Sequence, residues 1–233
     1  MTFPKISIQF NKTFEIYRYI STLYNISQYY YQSKDFYILN TKPKDLNIAG
    51  KTVYLPEIKH SFSVDDINRF SSLEYNNQIE GLRNYEKILS FKKVNIGAYE
   101  NIMETNFENF WKDITNILSK NVYINISEIE IYITRIGTGG SSELIGNKLR
   151  VIVRDDMPID RIFSLIILEL VSLSDLSNSY TWNEKTTIRD WILTKSIFKK
   201  YFQNNMSMLE NIRNSKQQGK YRDLSNKYLM KLG

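Results

Sequence analysis

Arg161-Ile-Phe-Ser-Leu-Ile-Ile-Leu-Glu-Leu-Val-Ser-Leu173 is the stretch on which the reading of this chain turns. Its apolar window, Ile162 to Leu173, falls far short of the roughly 18 to 20 residues that span a bilayer. It also carries Ser164, Glu169 and Ser172. The stretch therefore predicts a buried core helix. Leu165, Ile166 and Leu173 are the helical neighbours of Glu169, so its carboxylate sits against apolar surface. There it must be paired, hydrogen-bonded or protonated. Arg161 and Arg189 are the partners expected for it.

Upstream, Val122, Ile124, Ile126, Ile129, Ile131 and Ile133 mark β-prone sequence as far as Arg135. Gly137-Thr-Gly-Gly-Ser-Ser142 predicts a turn, and Leu149-Arg-Val-Ile-Val-Arg154 a returning strand. Helices are expected from about Pro158 to Leu176 and from about Asn183 to Tyr201. Ile6, Ile8 and Phe10 alternate as in a short strand. Phe14, Tyr17, Ile20, Tyr24 and Tyr31 fall at helical spacing, with Thr13 as the expected cap. Short extended segments are expected at 36–39 and 52–55, a helix from Ser63 to about Ser90, and another over Tyr99 to Leu118. The fold class that follows is α+β, helix-rich, with a small antiparallel sheet over residues 120–154 packed against long helices. The chain divides near residue 95 into 1–95 and 96–233, or forms one domain; no Pro/Gly/Ser linker marks a boundary.

Composition excludes several chemistries. The 233 residues contain no cysteine, so disulfides, thiolate metal sites and cysteine nucleophiles are absent. The one histidine, His60, allows no multi-histidine metal site within one chain. In a polar turn beside Glu57 it is expected to be an inert surface residue. The N-terminus has no basic region followed by an apolar run and does not read as a signal peptide. With the lack of cysteine, this predicts a cytoplasmic setting. The net charge is +6. From Leu209 to Gly233, six basic residues (Arg213, Lys216, Lys220, Arg222, Lys227, Lys231) face two acids (Glu210, Asp223). Such a segment forms a solvated helix face or touches an anionic partner such as nucleic acid. Tyr24, Tyr29, Tyr30, Tyr31, Phe36 and Tyr37 are expected to form the core and rim of an N-terminal lobe.

In their order, the Gly-rich turn, the strand, the apolar helix with its Glu and the following acidic helix resemble the active-site half of a zincin metallopeptidase of the gluzincin type. The resemblance covers about residues 120–202. In that family a helix carries His-Glu-x-x-His, with both rings on one helix face and the Glu activating zinc-bound water. A later helix supplies a third ligand, often a Glu with a supporting Asp four residues on. An upstream strand borders the cleft and holds substrate in extended form. Aligning Glu169 with the catalytic Glu places Leu168 and Ser172 at the histidine positions. Aligning Asp190 with the supporting Asp places Thr186 at the third ligand. Glu184, two residues earlier, points about 160° away around a helix. The resemblance thus implies a site that keeps two acids, Glu169 and Asp190, and has all three metal ligands replaced.

The function this implies is that of a non-catalytic zincin-like pseudoenzyme without metal or cofactor. It would bind a protein or peptide as a regulator or assembly factor. The cleft rim expected to bind comprises Gly137, Gly139, Gly140, Ser141, Arg150 and Arg154. A phosphate cradle at Gly137–Ser142 is the weaker reading, because a strand rather than a helix follows the glycines. Two alternatives stand beside the pseudoenzyme. One is a nucleic-acid-associated protein using the basic C-terminal segment. The other is a hydrolase using Glu169 with Asp190 as paired carboxylates.

Overall fold

The computed structural model describes residues 3–34, 36–39, 52–56, 63, 65, 67, 68, 94–118, 125–173, 180–202, 222, 223 and 226. Along these residues run β1 (Lys5–Gln9), α1 (Lys12–Ser27), β2 (Tyr37–Leu39), β3 (Thr52–Tyr54), α2 (Gly97–Leu118), β4 (Glu128–Thr134), β5 (Gly140–Ile145), β6 (Lys148–Arg154), α3 (Arg161–Ser172) and α4 (Trp182–Leu193). Single 3₁₀ segments lie at Gln32–Lys34 and Ser196–Tyr201. The class is α+β, as the sequence predicts.

The sheet departs from the antiparallel expectation. Its strand order is β1-β4-β6-β5; β1, β4 and β6 run parallel, and only β5 is antiparallel to its neighbour. Gly140–Ile145, expected in part to be turn, is a strand. The tight turn is Gly146-Asn147, with Gly146 at φ +61 in the first central position, where a II′ hairpin takes glycine. The β5–β6 hairpin fills one edge of β6, so β4 pairs with the other edge. Residues 135–139 step across the place between β4 and β5 that β6 fills.

Period-two alternation gives the sheet two different faces. Ile6 and Ile8 of β1, Ile129, Ile131 and Ile133 of β4, and Leu149, Val151 and Val153 of β6 point into one large core. That core is completed by α2 (Met103, Phe107, Phe110, Trp111, Ile114), by α3, and by Ile188, Ile192, Phe198, Tyr201 and Phe202 beyond it. The ring of Phe163 lies 4.5 Å from that of Phe110. The opposite face is covered at one end by α1, where Phe14 stacks on Tyr132 at 4.2 Å beside Ile152. Its other end is a charge ladder: Lys148 pairs with Glu128 at 2.8 Å, and Arg150 with Glu143 at 2.9 Å. Because β1 and α1 belong to this sheet, a division near residue 95 does not part them from residues 125–154.

Several boundaries differ from expectation. Asn11, not Thr13, caps α1: its Oδ1 accepts from the Thr13 and Phe14 amides at 2.9 and 3.3 Å, and Thr13 is buried inside the helix. The helix expected over 183–201 ends at Leu193 and passes into a 3₁₀ segment, because the Thr194 hydroxyl donates to the Trp191 carbonyl at 2.7 Å. Tyr31 is buried and packs edge-on against Phe36, as a core reading requires, while Tyr29, Tyr30 and Tyr37 are exposed. At Ser63 the carbonyl accepts from the Ile67 amide at 3.1 Å, a helical bond. The remainder of that expected helix, His60, residues 119–124 and nearly all of the basic C-terminal segment lie outside the described residues.

At the C-terminal ends of β4 and β6 a polar knot replaces apolar packing. Arg154 is fully buried. It donates from Nε to Asp156 Oδ1 at 2.6 Å and from Nη1 to the Gly137 carbonyl at 2.8 Å. Its Nη1 and Nη2 also reach the Thr52 carbonyl and hydroxyl, each at 3.4 Å. Backbone bonds between Tyr54 and Gly137, 2.9 and 2.8 Å, tie β3 to the same loop. Gly137 is at φ +90, a conformation that favours glycine, and a Cβ there would also push aside the end of the Arg18 side chain, 2.6 Å away. Replacing one member of a buried charge pair leaves the other uncompensated. Arg154→Met is therefore expected to cost about 3–5 kcal/mol in urea unfolding. A loss below about 1 kcal/mol would remove the knot from the list of what holds the fold.

Glu15, also fully buried, clamps α1 to the exit of β4: both carboxylate oxygens accept from the Arg135 amide, at 3.2 and 3.1 Å. Burial pushes its carboxyl from 4.5 up to about 7, opposed by Thr134, the Arg135 amide and Arg18. The folded state therefore holds a proton that the unfolded chain releases near 4.5. Stability is fully present below that pH and falls as pH rises to about 7, by roughly 3 kcal/mol. Glu15→Gln keeps an acceptor for the Arg135 amide and is expected to flatten this slope in unfolding curves measured from pH 4 to 8. An unchanged slope would assign it to other groups.

Candidate functional site

α3 is enclosed almost entirely: only Arg161, Glu169 and Ser172 of its twelve residues keep solvent access. A helix apolar all round seats itself in a core. Leu165 reaches β5, where a Cβ on Gly140 would meet its Cδ1 at 2.8 Å. Gly140 is thus the point of closest approach between strand and helix.

This approach sets Glu169 against the edge of the sheet. Ser142 Oγ donates to Glu169 Oε2 at 3.0 Å, and the nearby Leu144 amide favours the charged carboxylate. The register explains both contacts. Ile145 pairs with Lys148 across the two-residue turn, and hydrogen-bonded pairs alternate from there. The backbone groups of Gly140, Ser142 and Leu144 therefore point away from β6, and their side chains lie on the α3 face. Burial raises the Glu169 carboxyl above the ordinary carboxylate range; Glu143 adds to the rise, and Ser142, Lys185 and the Leu144 amide oppose it. The partners are thus a serine and an edge amide, not Arg161 or Arg189 as the sequence suggests.

Glu169 and Asp190 stand apart. Arg189 donates to Asp190 Oδ1 from Nε and Nη2, at 2.7 and 2.6 Å. Arg161, at the start of α3, feels Asp190 near the end of α4, while Glu169, near the end of α3, feels Lys185 near the start of α4. The helices are therefore antiparallel. Eight residues separate Arg161 from Glu169, which is about 12 Å along the helix axis. Glu169 and Asp190 occupy opposite ends of the helix pair and do not form paired carboxylates.

The three residues that the zincin resemblance would align with metal ligands do not fit a zinc ion. Leu168 is buried and has no donor atom. The Ser172 hydroxyl donates to the Leu168 carbonyl at 2.9 Å, and that of Thr186 to the Asn183 carbonyl at 2.8 Å. Glu184, the nearby acid on α4, is committed to a capping box: it accepts from the Thr181 amide at 2.8 Å while its own amide bonds Thr181 Oγ1 at 3.3 Å. Among the described residues no group of three His, Cys, Asp or Glu is placed to hold a metal ion.

The expected cleft rim is divided by the structure. Gly137, Gly139 and Arg154 belong to the buried knot; the Gly139 carbonyl accepts the Arg154 amide at 3.5 Å. Arg150 lies in the charge ladder over the Tyr132 ring, and Ser141 faces the same side, opposite Ile152. Only Gly140 borders the Glu169 edge. The sequence reading missed Ser142 and Leu144. Their signal is the alternation in Gly140-Ser-Ser-Glu-Leu-Ile145, hidden by taking the first three residues as turn. No family model, no curated protein and no solved structure matches this chain.

Removing the Ser142 donor takes away a bond that favours the charged carboxylate. Ser142→Ala is expected to raise the Glu169 titration midpoint further, followed by carboxyl carbon NMR. A lowered midpoint would contradict the contact.

Proposed function

We propose that this chain is a zincin-like pseudoenzyme that binds an extended segment of a protein or peptide partner along the β5 edge. It would act as a regulator or assembly factor rather than a peptidase. The observation carrying this reading is the geometry at Glu169. The residue aligned with a catalytic base accepts a hydrogen bond from Ser142 of β5 beside the outward Leu144 amide, and the residues aligned with metal ligands offer no free donor. Strand addition to such an edge takes its affinity from main-chain bonds and its specificity from alternate side chains. Gly140, Ser142 and Leu144 present that ladder, with Glu143 and Ile145 exposed between and beyond them. Among the described residues no helix is long and apolar enough to cross a membrane. A cytoplasmic setting suits a chain without cysteine. The hydrolase alternative loses its paired carboxylates, since Glu169 and Asp190 stand at opposite ends of the helix pair.

Peptides selected from a displayed library against the purified chain test this reading. Ser142→Pro removes an outward amide without touching the ladder to β6 and is expected to weaken binding about tenfold or more. Glu169→Ala removes the carboxylate beside the Leu144 amide and is expected to leave binding intact or tighter. Elemental mass spectrometry after zinc reloading is expected to find no stoichiometric metal. Binding indifferent to Ser142→Pro, or a peptidase activity that Glu169→Ala abolishes, would overturn the proposal.

A further inference from the structure

Arg161 stands at the opposite end of the α3–α4 pair from Glu169, and its surroundings pose a separate problem. Its Nε is enclosed and has no hydrogen-bond partner, and no ion pair holds its guanidinium among the described residues. The nearest charges are Arg189, Asp190 and Asp160. Asp190 is taken by two bonds from Arg189, 2.7 and 2.6 Å to one oxygen. Asp160 is buried and makes no capping bond to the first turn of α3. One turn along the same helix face, Ser164 is 3% exposed and its hydroxyl also lacks a partner.

A guanidinium nitrogen enclosed without an acceptor loses its hydration with nothing in return. A purely structural arginine would be expected to meet an acceptor, as Arg154 does. We propose that Arg161 and Ser164 form a binding site for an oxyanion, a carboxylate or phosphate group that accepts two parallel N–H bonds from one guanidinium. Two features favour an anion. The guanidinium fork matches the geometry of carboxylate and phosphate. The site lies at the N-terminal, positive end of α3, whose first turn carries no acid. Burial and the neighbouring Arg189 bring the Arg161 side chain down to about 10, against the pull of Asp190 and Asp160. Arg161 keeps partial solvent access, which gives an anion its path. This site is independent of the β5 edge and stands whether or not that edge binds peptide.

Thermal unfolding of the full chain at constant ionic strength tests it, with inorganic phosphate, acetate, and a short peptide carrying a free or an amidated C-terminus. A saturable rise in Tm is expected for the wild type. Arg161→Lys keeps the charge but loses the fork, and is expected to weaken apparent affinity about tenfold or more. Ser164→Ala loses one bond to the anion, also about tenfold. Arg161→Leu is expected to abolish the saturable rise, while unfolding without anion at no lower temperature than the wild type. Preference for phosphate identifies a phosphorylated ligand, and preference for the free over the amidated terminus identifies a polypeptide end. No saturable rise with any anion, or an equal rise in the wild type and the Lys and Ala variants, would overturn the site. Those two variants decide the matter even if the Leu variant does not fold.

Discussion

β6 is the constraint on which the rest depends. Both of its edges are paired, to β4 and β5, and residues Leu149 to Arg154 are buried on both faces. Leu149, Val151 and Val153 fix where α2 and α3 rest. Ile152 fixes where α1 rests. Arg154, at its end, cannot be shed into solvent, so its donors are met by Asp156, Gly137 and Thr52. A one-residue slip of β6 would exchange these apolar and charged sets between the faces. The register of the strand therefore sets the register of the whole sheet.

From that register the candidate site follows without further assumptions. β5 is left at the edge with the backbone groups of alternate residues turned outward. Gly140 lets α3 approach closely, and Glu169 is the one acid of α3 brought to that edge. A strand edge left unpaired among the described residues invites pairing with another extended chain. The Glu169 carboxylate, bonded by Ser142, places a negative charge beside it. The same helix places Arg161 at the far end, so one enclosed element carries two polar features that differ in charge and in chemistry.

Much of the helical framework was legible in the sequence because it rests on long, strongly patterned segments. Tyr99 to Leu118 and the Ile162–Leu173 run are of that kind, and both are helices. The sheet was less legible. Parallel pairing of β1 with β4 joins residues more than a hundred positions apart, and no local pattern reports it. Gly137, Gly139 and Gly140 look alike as letters but do different work: one has a positive φ beside Arg18, one lends a carbonyl, and one starts a strand under Leu165. Glu169 was found because a lone acid in an apolar helix is conspicuous. Its partners were not, since a serine and a backbone amide carry no charge signal. Glu15 and Arg154 were also missed or misassigned, because a buried charge looks like a surface charge until the fold encloses it.

If Glu169 serves the β5 edge rather than a metal, an NMR titration of the labelled protein with zinc will show it, following the Glu169 carboxyl carbon and the Leu144 amide together. The carboxyl is expected to titrate above the ordinary carboxylate range, and neither signal to move with added zinc. Shifts of both signals that saturate at one equivalent, with a fall in the Glu169 midpoint, would contradict it.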